Sequence, residues 1–332
     1  MVVQADRVPP APDVASVFAD WRLNPLMAVL VVLVAVAYLA GVRRVRRAGG
    51  RWPLGRTLIF LIAGLGVLIW ASMGWAEVYG PVLFSVYAAQ TTVLLMVSPF
   101  LMALGRPLEL ARAALGPTGR ARLDRVLSSR PARIFTVPVV SPLVLGLVPF
   151  VLFFTQLYPA SLDHTALLWS LQVVWVVLGL AVLIPLWESD EISAVMVYPI
   201  ALLFAFIELL VDAIPGIVIR LNTHVIAAGY FAALARPWGS SLLSDQQLGG
   251  DLLWCIAEAV DAPFLALLVI AWIRSDRREA DRVDRALDLQ ERTRPAAVRV
   301  ADPTGMTTPW WETDASVFGN RASQFERPDP PD

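Results

Sequence analysis

Glu208 and Asp212 are four residues apart and Glu258 and Asp261 three apart, so on helices each pair shares one face. Both pairs sit in stretches otherwise apolar enough to cross a bilayer. A carboxylate at mid-membrane costs roughly 2.5–3.5 kcal/mol on insertion scales, so four of them need partners or a role. Facing one another across a bundle, they would form an acidic cluster suited to protons or a hard cation. Other polar groups inside apolar stretches, Tyr87, Gln90, Thr91, Thr92, Gln172 and Cys255, are the candidates to line the same pocket. The alternative is that each is satisfied separately, by backbone or by an interhelical hydrogen bond.

The elements that must position these residues follow from composition. Hydrophobic residues make up 57% of the chain and charged ones only 17%, a balance that excludes an ordinary soluble domain and fits a polytopic membrane protein. The residues before Asp20 are polar and proline-containing, without a basic start and apolar core, so the first apolar run is expected to be a retained span. Seven runs are long enough to cross about 30 Å of hydrocarbon. They are Pro25–Val42, Thr57–Ser72 (the shortest), Pro81–Leu104, Phe135–Leu157, Thr165–Leu186, Ala194–Ile219 and Leu252–Ile273. The predicted fold is an all-α bundle of seven transmembrane helices.

All the basic side chains are arginines, and they gather after the first run (Arg43 to Arg56), after the third (Arg106 to Arg133) and after the seventh (Arg274, Arg277, Arg278). Placing those loops in the cytoplasm puts the N-terminus outside and the C-terminus inside the cell membrane. The expected organisation is an extracellular segment 1–24, a membrane domain 25–273, a charged cytoplasmic helix 274–294 and a disordered tail 295–332 in which Trp310, Trp311 and Phe325 stand out. Between the sixth and seventh runs, Val225–Ala235 is apolar but too short to cross, and reads as a re-entrant or interface-lying helix.

With this topology each buried polar group acquires a depth. Tyr87 to Thr92 lie roughly 9–17 Å from the outer end of the third run, Gln172 about 10 Å down the fifth, Asp212 and Glu208 about 10 and 16 Å down the sixth, and Cys255 to Asp261 roughly 5–14 Å down the seventh. Four helices thus deliver polar groups to one slab in the outer half of the bilayer.

Several of these segments resemble the cytochrome c oxidase assembly factor CtaG family. The resemblance runs through Trp21-Arg22-Leu23-Asn24-Pro25, Trp52-Pro53-Leu54-Gly55-Arg56-Thr57, Val78-Tyr79-Gly80-Pro81, Gln90 to Pro107, and Asp245-Gln246-Gln247-Leu248-Gly249-Gly250. It implies a non-enzymatic membrane protein of respiratory-complex biogenesis, with oxidase subunits as partners and copper as cargo. The family's histidines correspond here to Tyr87, Thr91, Leu168, Gln172 and Asp212, with His164 retained. Imidazole suits copper, whereas carboxylates suit harder ions or protons, so the site reads as rebuilt with Glu208, Asp212, Glu258 and Asp261 as metal ligands. The cofactor is left unassigned by the residues themselves. Two other classes stay open: a proton or divalent-cation transporter, and a ligand-free scaffold for respiratory subunits. Nothing in the chain carries a hydrolase, kinase or nucleotide-binding motif, and no nucleic-acid partner is expected.

Overall fold

The computed structural model describes residues 8–129, 140–188 and 197–293, and within them every regular element is a helix. The chain divides into two compact units, Met1–Ser275 and Asp276–Asp332. In the second unit the described part, 276–293, is charged helix, exposed over 276–289; Trp310, Trp311, Phe325 and the rest of the predicted tail lie outside the described residues.

The first unit begins with an arm, residues 8–24, carrying the short helix α1 (Ser16–Ala19). The long α2 (Pro25–Arg47) starts where Asn24 accepts the Met27 amide at 3.1 Å and Pro25 fills the first helical turn. It ends on Arg44, Arg46 and Arg47, whose charge complements the carboxyl end of the helix dipole. α3 (Leu54–Tyr79) includes a π-helical stretch, Ile59–Gly64, and a break at Gly74, after which Trp75–Tyr79 resumes as helix. α4 (Phe84–Leu104) has its own π-helical stretch at Val93–Val97. Two shorter helices, α5 (Pro107–Ala114) and α6 (Pro117–Leu127), follow.

α7 (Val140–Phe153) contains Pro149, and it meets α8 (Leu157–Asp163) at a bend of 66°. α9 is Thr165–Glu188, α10 is Val197–Leu221, α11 is the seven-residue Ala228–Leu234, and α12 is Leu242–Thr293. Four helices among the described residues are long and apolar enough to cross a membrane: α2, α3, α4 and, over Thr165–Ile184, α9. The bent pair Leu145–Phe153 and Leu157–Asp163 makes a fifth if it is one broken span. The protein is therefore a multi-pass membrane protein, all-helical over its described residues. The sixth and seventh apolar runs of the sequence fall in α10 and α12.

α4 is the centre of the first unit, with α3 and α9 packed on it; α2 covers α5, and α7 packs on α10. The α4–α9 approach depends on Gly179, where an added Cβ would lie 2.0 Å from the Leu95 carbonyl oxygen and 2.7 Å from Pro99. Backbones this close require a residue without a side chain. At the arginine-rich end, Tyr38 stacks on Phe60 with ring centres 3.9 Å apart and donates to the Gly105 carbonyl at 2.9 Å. Beside it Glu109 accepts from Arg56 at 2.8 Å and Arg106 at 3.1 Å. Partial burial works against the Glu109 charge, but the hydrogen bonds and positive charges of Arg56 and Arg106 outweigh it and hold the carboxyl below its ordinary range.

Candidate functional site

Two of the candidate polar residues, Gln90 on α4 and Gln172 on α9, do meet, and they meet on Glu77. That carboxylate lies in the last turn of α3, in a stretch (Met73–Gly80) that the sequence alone presents as a loop. Its residue is only 1% exposed. Gln172 Nε2 donates to Glu77 Oε2 at 2.6 Å, Gln90 Nε2 to the same oxygen at 3.2 Å, and Trp169 Nε1 to Oε1 at 2.9 Å.

The direction of each bond is forced by the backbone. The Met27 amide can only donate, so Asn24 presents its oxygen to it and its nitrogen to Gln172 Oε1, at 2.7 Å. With its oxygen occupied, Gln172 turns its own nitrogen to Glu77. Gln90 is fixed from the other side, because its nitrogen also reaches the Ala71 carbonyl, an acceptor only, at 2.8 Å. An indole nitrogen is likewise only a donor. Glu77 thus meets donors from three side chains, which suits an acceptor-only carboxylate. Among the described residues no arginine or histidine comes within ion-pair distance of it; Arg22, on the exposed arm, contributes a favourable field from further off.

This knot ties together the first residue before α2, the last turn of α3, the second turn of α4 and the first two turns of α9. All four helix ends are at the same side of the bundle, as an up-and-down passage of successive spans requires.

Tyr87, Thr91, Thr92, Cys255, Glu258 and Asp261 make separate contacts or none. Tyr87 lies against Ser161 at 2.9 Å; since the Ser161 hydroxyl is donated to the Tyr158 carbonyl at 2.7 Å, the phenol is the donor. Thr91 and Thr92 return their hydroxyls to carbonyls of their own helix, those of Tyr87 and Ala88. Both threonines border a small, mostly apolar cavity with Leu95, Met96, Leu145, Pro149 and Leu253, with room for about one water molecule. On α12, Cys255 is exposed and Glu258 accepts from Trp254 one turn earlier at 2.9 Å. Asp261 is buried, and its Oδ2 has no hydrogen-bond partner among the described residues. Glu208 and Asp212 belong to α10, but their side chains lie outside the described residues. Among the described residues no three His, Cys, Asp or Glu side chains are grouped to hold a metal ion.

Of the positions where the resemblance implies histidine, four offer copper no suitable donor, while His164 keeps its imidazole, exposed just before α9, and the Asp212 side chain lies outside the described residues. Tyr87 and Thr91 are committed as above, Leu168 is a buried aliphatic, and Gln172 has both amide atoms engaged. These residues do not fit a copper centre.

Asp245, like Glu77, is a buried acid that is not among the candidates suggested by spacing, although it stands at the head of one of the matching motifs. Asp245 is 3% exposed, accepts the Phe84 amide at 2.8 Å and bonds the Ser85 hydroxyl, so α12 caps the start of α4 from another part of the chain. Gln246 accepts the Ile226 amide at 2.7 Å and donates to the His224 carbonyl at 3.0 Å. One signal could have pointed to Glu77: a lone acid between Trp75, Val78 and Tyr79, in a segment too apolar for a solvated turn.

The family of cytochrome c oxidase caa3 assembly factors (Caa3_CtaG) matches residues 36–275. An uncharacterized protein of Mycobacterium bovis is 31% identical over 293 residues, which cover 85% of this chain and 43% of that protein. One of Mycobacterium leprae is 29% identical over 297 residues, covering 85% of this chain and 44% of the relative. The chain thus spans less than half the length of the curated relatives it matches. No solved structure matches it. By the extent of the family match, which includes Glu77, Gln90, Gln172 and Asp245, this chain belongs to the cytochrome c oxidase caa3 assembly factors.

Proposed function

We propose that the protein is a non-enzymatic, seven-span factor of the plasma membrane, N-terminus outside, that assists assembly of cytochrome c oxidase by engaging its subunits. The observation that carries the site is the convergence of Gln90, Gln172 and Trp169 on Glu77. A buried carboxylate linking four helix ends holds the outward side of the bundle in one arrangement, the kind of pre-set surface on which a client subunit can dock. In this reading Glu208, Asp212, Glu258 and Asp261 form the outward acidic pocket on α10 and α12, and a metal held there is bound through oxygen.

The test is complementation of a strain lacking the gene. Glu77→Gln, Asp212→Asn and Glu258→Gln should each lower the amount of spectroscopically intact oxidase, while membrane fractionation finds the variant protein inserted at wild-type levels. Wild-type oxidase in all three strains would refute the assignment. A second reading, proton or divalent-cation transport, is favoured by the unpartnered oxygen of Asp261. Flux into proteoliposomes that is lost in Asp261→Asn would support it; equal flux in both would remove it.

A further inference from the structure

We infer that the N-terminal arm is a two-sided clamp: its inner face is bonded to the bundle, and its outer ridge, Val14, Phe18, Trp21 and Leu23, lies in the lipid headgroup layer. The inference rests on the chain's being a membrane protein and not on which complex it helps to assemble.

The inner face is held by hydrogen bonds at five points. Trp238 donates to the Pro9 carbonyl at 2.9 Å, Tyr79 to the Pro10 carbonyl at 3.2 Å and to Asp20 at 3.0 Å, and Trp70 to the Val17 carbonyl at 3.1 Å. The Arg22 amide donates to the Met73 carbonyl at 2.7 Å. Of the arm's two carboxylates, Asp20 is bonded to Tyr79 of the bundle, and the exposed Asp13 accepts the Ser16 amide, at the start of α1, at 2.7 Å. The arm therefore crosses the C-terminal end of α3 and reaches the α11–α12 connection at a fixed position.

The outer face is largely apolar, and among the described residues none covers it. Val14 is 83% exposed, Phe18 73%, Trp21 54% and Leu23 70%. Large apolar side chains grouped in this way are costly in water. The Trp21 indole already donates to the Phe18 carbonyl at 2.8 Å, so its polar atom does not require water. The ridge continues without a polar break into Leu26, Val29, Leu33 and Val36, the exposed apolar face of α2. That face belongs to a helix long and apolar enough to span a bilayer, so it meets lipid. Arg22, exposed within the ridge, is placed where a snorkelling guanidinium meets lipid phosphate. Two more features mark this level as an interface: Trp70 and Trp238 are bonded to the arm, and Pro25, where α2 enters the membrane, is two residues past Leu23. Continuity with a lipid-facing helix, aromatic content and a single exposed arginine together select the bilayer over a second protein as the occupant.

The test places the photoreactive p-benzoylphenylalanine at position 18, a conservative replacement of Phe18, in the full chain reconstituted into phosphatidylcholine–phosphatidylglycerol vesicles. The same group at Leu33 is the reference for contact with lipid, and one at Val14 guards against a local failure at position 18. After illumination, mass spectrometry should find phospholipid adducts at 18 and 14 at yields within about threefold of those at 33. Adducts at 33 but none at 18 or 14 would place the ridge in water and overturn the inference. So would adducts joining two copies of the chain, which would mean that a second protein covers the ridge. Because no oxidase is present, none of these outcomes depends on the assembly function.

Discussion

Gln172 donates to Glu77 at 2.6 Å across 95 residues of sequence, and the two residues close a hydrogen-bonded path that runs from the Met27 amide through Asn24. Each member of that path has one possible orientation, so no amide can flip to accommodate a missing neighbour. A network of this kind is stiff when complete and costly when broken.

Removing its acceptor should therefore be severe. Glu77→Ala leaves Trp169 and the amide nitrogen of Gln172 without a buried partner, and at about 1–3 kcal/mol for each stranded donor the expected loss is about 3 kcal/mol or more. Glu77→Gln retains one acceptor oxygen but turns an amide N–H toward existing donors, and should lose less. Denaturant unfolding in detergent micelles measures both; a loss below about 1 kcal/mol for the alanine variant would mean that the knot does not hold the helix ends.

Gly179 makes a steric prediction that can be read against an internal control. Gly179→Ala drives a methyl group into the Leu95 carbonyl, and overpacking of this kind costs about 1–3 kcal/mol or more. Gly66→Ala, with nothing within 4 Å of the new methyl, should be neutral or stabilising by up to about 1 kcal/mol, since alanine is the better helix former. Monodisperse yield on size exclusion and the unfolding midpoint should order the variants as Gly66→Ala, wild type, Gly179→Ala.

Asp245 acts on α4 from a distance of some 160 residues, and its removal should loosen the start of that helix. Asp245→Ala is expected to cost about 1–2 kcal/mol through the lost cap. Asp245→Asn, which keeps one acceptor oxygen, should cost less than half as much. Amide hydrogen exchange at Phe84 and Ser85 should quicken in the alanine variant; unchanged exchange there would contradict a capping role.

The arginine-rich end carries a pH dependence. Because the folded Glu109 carboxyl titrates below its ordinary value of 4.5, its contribution is complete above that value and disappears as pH falls through the lower, folded one. The group is 43% exposed, so solvent screening keeps the effect under about 1 kcal/mol. Wild-type unfolding midpoints between pH 5 and pH 3 should fall more steeply than those of Glu109→Gln. Parallel curves would show that Arg56 and Arg106 do not stabilise it.

How much of this was legible before folding depended on the kind of question. The apolar runs set the helices, because a backbone in hydrocarbon must satisfy its own hydrogen bonds and a run of sufficient length can do so only as a helix. Depth also followed from the chain, at 1.5 Å per residue, which is why Gln90 and Gln172 were expected at one level and are found together. Rotation about each helix axis, and the identity of the neighbour across the gap, do not follow from spacing. Glu77, two residues before Tyr79-Gly80-Pro81, has no periodic signature, and only the packing of α3 and α9 on α4 turns it from a loop acid into the acceptor on which three donors converge. The same holds for Asp245: sequence spacing places it at the head of α12, but only the tertiary fold sets it against the start of α4, because the amides left free at a helix end accept any partner that geometry brings within reach.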